Sequence, residues 1–125
     1  MSEQQVTTIG VRDGIVLVQV EHSRMDEELT RIMQADVLAA AEEARNLPVA
    51  LDMSKVEFFP SMSLGAVVTL LKKLRAEGQK FVLVGLQPPV REALAITRLD
   101  KLFEIYDSCA DASACLRRRS HAADE

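Results

Sequence analysis

The sequence predicts an α/β fold: a mixed, largely parallel sheet of four to five strands with about four helices. Short apolar runs rich in β-branched residues alternate with longer segments whose apolar residues recur at helical spacing. Strands separated by helices pair in parallel, because the crossover returns the chain to the same end of the sheet. The chain has 125 residues, 48% of them hydrophobic, which suits one domain over residues 1–125 with a core at about 5–118.

The first three elements are predicted to be a β-hairpin and a helix. Residues 6–11 and 15–20 are β-rich, and the Asp13-Gly14 pair between them is a strong hairpin signal. Asp26 is placed to cap the following helix, and Pro48 lies just beyond its end. The residues of this helix that we expect to face the core are Leu29, Met33, Val37, Ala40 and Ala44.

The middle of the chain is predicted to form a strand, an extended segment and a helix. Residues 48–53 form a short apolar strand, and residues 56–59 continue the extended path until Pro60 interrupts it. The helix that follows ends near Gly78, after basic residues that suit a helix C-terminus. Its expected core-facing residues are Leu64, Val67, Val68, Leu71 and Leu74.

The last part of the chain repeats this alternation in shorter elements. Residues 81–84 are predicted as a strand, residues 90–96 as a short helix and residues 103–106 as a brief last strand. Asp107 or Ser108 then caps a final helix over residues 110–118.

The charge balance argues against nucleic acid as a direct partner. The 15 basic and 19 acidic residues give a net charge of −4, whereas affinity for a phosphate backbone requires clustered cations. The cluster Arg117-Arg118-Arg119 is interpreted as a solvated helix end. No apolar run approaches the roughly 20 residues that span a bilayer, and residues 1–5 lack the layout of a signal peptide. We therefore expect a cytoplasmic protein without membrane insertion.

Residue types typical of catalytic and metal sites are not clustered in this sequence. Cys109 and Cys115 are six positions apart, unlike a Cys-x-x-Cys redox pair or a zinc knuckle, and His22 and His121 lie far from them. We interpret the cysteines as small, partly buried thiols near the last helix. The sequence contains no glycine-rich phosphate loop and no credible Ser/His/acid arrangement. It therefore predicts a protein that is not an enzyme and holds no metal and no cofactor.

The most informative stretch, residues 52–65, joins the third predicted strand to the second long helix. It resembles the signature of the anti-sigma-factor antagonists, small STAS-domain proteins with the pattern Asp-Leu-Ser-x-Val-x-Phe-Met-Asp-Ser-Ser/Thr-Gly-Leu-Gly. The residues that agree are Asp52, Ser54, Val56, Phe58, Ser61, Leu64 and Gly65. Residues 23–26 and the stretch 89–108 are also similar to the family, so the resemblance covers about residues 5–118.

This resemblance implies a STAS fold and a role in transcription regulation, with Ser61 at the position of the family's phosphoacceptor serine. In such proteins the unmodified antagonist binds an anti-sigma factor that is also a serine kinase, and so releases a sigma factor. Phosphorylation by that kinase ends the binding, and a serine phosphatase restores it. The residues that we expect to contact the partner are Asp26, Pro60, Ser61, Met62, Ser63 and Leu64.

Two departures from the signature leave alternatives open. Pro60 replaces an aspartate, which removes a carboxylate beside the acceptor hydroxyl, and Met62-Ser63 replaces a Ser/Thr-Gly pair. Either Ser61 or Ser63 can be the N-cap of the helix, and Met62 suits an interface as well as a half-buried position. The alternative function is a STAS scaffold or binding module in a signalling or transporter-associated complex, without phosphorylation. A nucleotide-binding regulator is a weaker alternative, and the oligomeric state stays open, a homodimer included.

Overall fold

The computed structural model describes the backbone of residues 5–123 and the side chains as far as Arg117. Within these residues it contains five strands, four helices and a short 3-10 turn at Leu99–Lys101, which confirms the predicted α/β class. The strands are β1 (Thr7–Arg12), β2 (Ile15–Val20), β3 (Val49–Asp52), β4 (Phe81–Val84) and β5 (Ile105–Tyr106). The helices are α1 (Glu27–Glu43), α2 (Ser61–Ala76), α3 (Pro88–Ile96) and α4 (Cys109–Ala123).

The five strands form one sheet in the order β1-β2-β3-β4-β5. β1 and β2 are antiparallel, with Thr7 opposite Val20 and Arg12 opposite Ile15. The remaining neighbours, from β2 to β5, pair in parallel. All four helices therefore begin at the same end of the sheet, the end at which the carboxyl ends of the parallel strands lie.

The hairpin between β1 and β2 forms as the sequence predicts. Its two turn residues, Asp13 and Gly14, both have positive φ angles, of 56° and 79°. Two successive positive φ angles are typical of the type I′ turn, whose twist matches that of the paired strands. Asparagine, aspartate and glycine tolerate this conformation best, which is why the Asp-Gly pair is informative in sequence.

Helices cover both faces of the sheet. On one face α1, α2 and α3 pack over the larger core, to which the strands contribute residues such as Val18, Leu51 and Leu83. On the other face Ala112 of α4 packs with Ala50 of β3. Adjacent residues of β3 thus enter opposite cores, as the alternation of side chains along a strand requires.

The extended path that the sequence predicts from β3 into residues 56–59 is broken by a turn at Ser54 and Lys55, and residues 56–59 are not a strand of the sheet. The chain turns directly after β3, where the Ser54 N–H donates a hydrogen bond to Asp52 Oδ1 at 2.8 Å. The segment then makes a single isolated parallel bridge, between Phe58 and Arg24. Turn formation by an aspartate side chain therefore prevails over the β-propensity of the apolar run.

The final helix begins slightly earlier and ends later than predicted. Of the two candidate caps, Ser108 caps α4, because its Oγ accepts a hydrogen bond from the Asp111 N–H at 3.1 Å. Both cysteines lie on this helix as free thiols, Cys109 buried and Cys115 partly buried. Burial raises the pKa of the Cys109 thiol, which keeps it protonated.

The side chains of Arg118, Arg119 and His121 lie outside the part of the structure that is described. Arg117 is exposed, and its guanidinium donates to Ser113 Oγ one turn earlier at 3.3 Å. Across the described residues, none of the helices combines the length and the apolar character that crossing a membrane requires.

The side chain of Gln79, in the loop after α2, holds the C-terminal end of α1. Its amide Nε2 lies within hydrogen-bond distance of the carbonyls of Ala41 at 3.1 Å, Ala44 at 3.0 Å and Leu47 at 2.9 Å, so its two N–H bonds serve three acceptors and one of them is shared. The Ala41 and Ala44 carbonyls also accept the N–H groups of Ala44 and Leu47 at 3.3 and 3.0 Å, so this buried amide adds a second donor to the end of the helix and ties it to the loop that follows.

Candidate functional site

The candidate site lies at the end of the sheet where α1 and α2 begin, beyond the carboxyl ends of β2 and β3. Asp26 caps α1 as predicted, because its Oδ1 accepts a hydrogen bond from the Leu29 N–H at 2.9 Å. Asp26 is also exposed, so capping leaves the carboxylate accessible from solvent. Its contact with a partner remains a prediction.

Pro60, rather than a serine, occupies the N-cap position of α2. Its φ of −69° and ψ of 169° are extended, and its carbonyl accepts hydrogen bonds from the N–H groups of Ser63 and Leu64 at 2.8 and 3.1 Å. No side chain caps this helix. The expectation that Ser61 or Ser63 is the N-cap is therefore wrong, since the proline ring presets the extended conformation that the cap position needs.

Ser63 and Leu64 lie in the interior rather than on the surface we expected them to join. Ser63 has 0% exposure, and its Oγ is 2.6 Å from Oγ1 of Thr30 on α1, which is also buried. Leu64 belongs to the main core. The physical reason is helix geometry, because the third and fourth residues of α2 turn towards α1 and the sheet. These two residues support the surface from below.

The Thr30–Ser63 pair yields a stability prediction. Thr30→Val and Ser63→Ala are each expected to lower the free energy of unfolding by about 1–2 kcal/mol, because each leaves the remaining buried hydroxyl without its hydrogen-bond partner. The double variant is expected to lose less than the two single losses together, by about 1 kcal/mol, since it leaves no orphaned hydroxyl. Urea unfolding of the four proteins measures this difference. Strict additivity would contradict a direct hydroxyl–hydroxyl bond.

The exposed residues at the start of α2 combine a hydroxyl with apolar side chains. Ser61 is exposed, Met62 is 44% exposed and Pro60 is half-buried. Phe58 is also 44% exposed, and the guanidinium carbon of Arg24 lies 4.6 Å from the centre of its ring. This distance is that of a cation–π contact. We call these five residues the α2-start surface.

Main-chain hydrogen bonds hold the two loops of this surface together. The Met25 N–H donates to the Phe58 carbonyl at 3.0 Å, and the N–H groups of Glu57 and Phe58 donate to the Ser23 carbonyl at 2.7 and 3.0 Å. The loop before α1 and the loop before α2 therefore form one unit. A partner that contacts Ser61 meets an ordered surface whose shape does not depend on side-chain contacts alone.

Arg24 and Phe58 are the surface residues that the sequence interpretation missed. One signal for Phe58 was present, because successive side chains of an extended segment point to opposite sides. Phe58 and Phe59 are adjacent, so only one of them can enter the core, and Phe59 does. No comparable signal exists for Arg24, whose position depends on a bridge to a residue 34 positions later in the chain.

The electrostatics at the start of α2 favour an added negative charge. The first turn of this helix, all of it described, contains no acidic residue. The N–H groups of Ser61 and Met62 stand at the positive end of the helix dipole, where they have no acceptor within the helix. By contrast, the first turn of α1 already carries Glu27 and Glu28.

An ion pair stabilises the neighbouring end of β2. Lys55 Nζ lies 2.6 Å from Glu21 Oε1, and the Thr8 hydroxyl donates to Glu21 Oε2 at 2.6 Å. These two hydrogen bonds lower the pKa of the Glu21 carboxyl. The charged form is therefore retained at neutral pH, and it ties the turn after β3 to the hairpin.

The cleft beside the site does not suit a nucleotide. A cavity of about 280 Å³ at the carboxyl ends of β3 and β4 is lined by three aspartates, Asp13, Asp52 and Asp107, with Arg12. Three carboxylates oppose the entry of a phosphate group. Within the described residues, no group of three or more His, Cys, Asp or Glu side chains is arranged to hold a metal ion.

Comparisons with known proteins agree with this geometry. Residues 9–112 match the sequence model of a family described as STAS domain. A Thermotoga maritima protein named as an anti-sigma factor antagonist is 37% identical over 71 residues, which are 57% of this chain and 63% of that protein. The chain thus spans less than two thirds of the length of this relative.

Solved structures share the fold at lower identity. An anti-sigma-factor antagonist (STAS) domain protein from Planctomyces limnophilus has a TM-score of 0.80 at 22% identity, covering 89% of this chain and 97% of that chain. The Bacillus cell fate determinant SpoIIAA in its phosphorylated form has a TM-score of 0.66 at 14% identity, covering 88% of this chain and 98% of that chain. At these identities the likeness shows a shared fold.

Proposed function

The chain belongs to the STAS domain family, and from this premise we propose that it is an anti-sigma-factor antagonist switched by phosphorylation of Ser61. The antagonists of this family are non-enzymatic binding modules. In the proposed role the chain is a kinase substrate and a ligand rather than a catalyst. One observation carries the proposal: Ser61 is exposed at a helix start, and Phe58 and Met62, close to it in sequence, are exposed apolar side chains. This role assigns the protein to the cytoplasm.

The fold itself tolerates a phosphate on Ser61. A phosphoserine carries about −1.5 to −2 charges at neutral pH, and negative charge at a helix N-terminus is neutral to stabilising, by about 0.3–1 kcal/mol. The absence of acidic residues from the first turn of α2 removes the main source of repulsion there. Phosphorylation is therefore expected to act on the partner and not on folding.

A phosphate on Ser61 is expected to weaken binding of the partner, although the fold tolerates it. A protein that packs against Met62 also comes close to Ser61, since this exposed serine directly precedes Met62 and begins the helix. A phosphate there must lose its hydration without a matching cation, a cost that can reach about 4 kcal/mol and thus about a thousandfold in affinity. We propose an anti-sigma factor with serine kinase activity as this partner, and a serine phosphatase as the enzyme that restores binding.

The names of related proteins support this role. The Thermotoga maritima relative bears the name of an antagonist of this class, and SpoIIAA, which shares the fold, has been solved in a phosphorylated form. For this chain, the acceptor serine and the kinase are part of the proposal.

Phosphopeptide mapping tests the acceptor. The full chain is incubated with ATP and each serine kinase from its own genome, and the modified residues are located by mass spectrometry. We expect one phosphate, on Ser61, and none on Ser63, because Ser63 is buried and bonded to Thr30. The Ser61→Ala variant is the matched control and should take up no phosphate. Failure of every kinase to modify Ser61 would contradict the switch.

Pro60 is the observation that favours the second candidate, a scaffold that uses the same surface without phosphorylation. Proline at this position supplies no carboxylate to orient the acceptor hydroxyl. The Pro60→Asp variant distinguishes the two functions. It should speed phosphate transfer to Ser61 if a kinase acts there, whereas no transfer to Ser61 should be detected in either protein if the surface only binds.

A further inference from the structure

The two edge strands of the sheet, β1 and β5, differ in length and therefore in how much backbone they expose to solvent. β5, at one edge, is only two residues long, which is one way in which proteins limit unwanted strand pairing. β1, at the other edge, is six residues long and pairs with β2 in an unbroken register. It contains neither lysine nor proline, the residues that commonly protect an edge strand.

The outward-pointing backbone groups of β1 can be assigned from its pairing, and one of them, the Thr7 carbonyl, accepts a hydrogen bond from Gln5 Nε2 at 3.1 Å. The Glu21 N–H donates to the Val6 carbonyl at 2.8 Å. Val6, the residue just before β1, therefore directs its backbone hydrogen bond towards β2. Because bonding alternates along an antiparallel pair, Thr8, Gly10 and Arg12 bond towards β2. The N–H and C=O groups of Thr7, Ile9 and Val11 therefore point away from the sheet.

The side chains of the same outward-bonding residues leave apolar surface uncovered. Ile9 is 47% exposed and Val11 is 65% exposed, although they stand opposite Val18 and Val16, which are core residues. Residues that are directly opposite each other point to the same face, so Ile9 and Val11 extend the core face beyond the cover of α1. At Ile9 and Val11, exposed apolar side chains thus coincide with outward-pointing backbone groups that have no partner among the residues the structure describes.

We propose that β1 pairs with β1 of a second copy of this chain, in antiparallel orientation, to form a two-fold dimer with a continuous sheet. A two-fold contact uses the same patch on both copies, and an antiparallel edge strand is complementary to itself. With Gly10 opposite Gly10, Ile9 of each copy meets Val11 of the other. The outward-pointing N–H and C=O groups of Ile9 and Val11 then pair with those of the other copy.

Charge complementarity supports a second copy as the occupant. Arg12 lies at one end of β1, and Thr8, whose hydroxyl donates to Glu21, lies near the other end on the same face. The antiparallel register places Arg12 of each copy opposite Thr8 of the other, beside the Glu21 carboxylate. The centre of the strand is uncharged, so two copies of a chain with net charge −4 meet there without like-charge repulsion.

The dimer is expected to be weak. Six residues of strand span about 20 Å, which limits the contact to the small class of interfaces below about 1,200 Å². It also leaves the α2-start surface free, because α2 follows β3, two strands inward from the edge. The dimer would therefore carry two accessible Ser61 surfaces.

Sedimentation equilibrium of the full chain tests the proposal without any partner protein, so its outcome is independent of the proposed antagonist function. The apparent mass should rise from 13.8 kDa towards twice that value between micromolar and millimolar concentration. Val11→Lys should weaken the dimer by at least about tenfold, since it places like charges across the two-fold axis. Ile96→Lys is the matched control, because Ile96 is 73% exposed at the end of α3, away from β1, and should dimerise like the unmodified chain.

A second variant keeps the test valid if Val11→Lys unfolds. Val11→Pro removes an N–H that points outward, so it spares the bonds to β2 and should abolish the dimer. Circular dichroism reports whether each variant is folded. A chain that stays monomeric at millimolar concentration overturns the proposal and leaves the edge to a strand of another protein. Equal effects of Val11→Lys and Ile96→Lys, or a dimer that survives both β1 variants, overturn it as well.

Discussion

Replacing Ser61 with aspartate is expected to weaken binding of the proposed anti-sigma-factor partner by about a hundredfold, and phosphorylation of Ser61 by about a thousandfold. The aspartate carries one negative charge and the phosphoserine nearly two, so the order of the effects follows the charge that the partner has to desolvate. Ser61→Ala should bind within about threefold of the unmodified chain, because it removes only an exposed hydroxyl. Isothermal titration with the anti-sigma factor of the same genome measures all four affinities.

A matched control separates the position of the charge from the charge itself. Thr69→Asp adds the same charge to an exposed position of α2, eight residues and thus about 12 Å further along the helix. That distance exceeds the Debye length of about 8 Å at physiological salt, so binding should be nearly unchanged. Equal affinity of Ser61→Asp and Ser61→Ala would show that charge at Ser61 does not control docking.

Folding should be insensitive to these substitutions. Ser61 is exposed and its side chain caps nothing, so the free energy of unfolding should change by less than about 0.5 kcal/mol in Ser61→Ala. In Ser61→Asp it should rise slightly, because the carboxylate lies at the positive end of the helix dipole. If Ser61→Asp weakens partner binding but does not lower the free energy of unfolding, the substitution acts at the interface and not through the fold.

The sequence was sufficient for the elements whose signals are local. The type I′ turn at Asp13-Gly14 and the cap at Asp26 follow from residue types that prefer those backbone conformations, and both are observed. The prediction that residues 56–59 continue the path of β3 missed the turn at Ser54 and Lys55, because the β-propensity of the apolar run does not report the hydrogen bond that forms that turn. The strand ends at Asp52, whose side chain accepts the Ser54 N–H and forms the turn that follows.

The candidate site was predictable only where its parts are close in sequence. Ser61 was found from a contiguous pattern, whereas the burial of Ser63 depends on Thr30, which lies 33 residues earlier. Likewise Arg24 joins the surface through contacts with Phe58 that form when two loops meet. Pairings of this kind arise from tertiary packing, and periodicity or propensity does not encode them.

Replacing Gln79 with alanine is expected to lower the free energy of unfolding by about 3 kcal/mol. The substitution leaves the carbonyls of Ala41, Ala44 and Leu47 without the donor they share, in a partly to fully buried setting. Gln87→Ala is the matched control. Its amide donates to one carbonyl, that of Ser54, in an exposed position, so the loss should stay below about 1 kcal/mol. Similar losses in the two variants would show that the three-carbonyl contact adds nothing special.

The Gln79→Glu variant sharpens this test because it makes the effect depend on pH. An ionised carboxylate facing three carbonyl oxygens is repelled by all of them, so folding raises the pKa of the new carboxyl above its value in the unfolded chain. The penalty is therefore full above the folded-state pKa and shrinks as the pH falls through it, when the protonated group can donate one hydrogen bond. Urea unfolding at pH 7 and pH 5 should show the stability gap to the unmodified chain narrowing at the lower pH. A gap that stays constant or widens would mean that the side chain at position 79 does not face those carbonyls, and the C-terminal end of α1 would then need another explanation for its order.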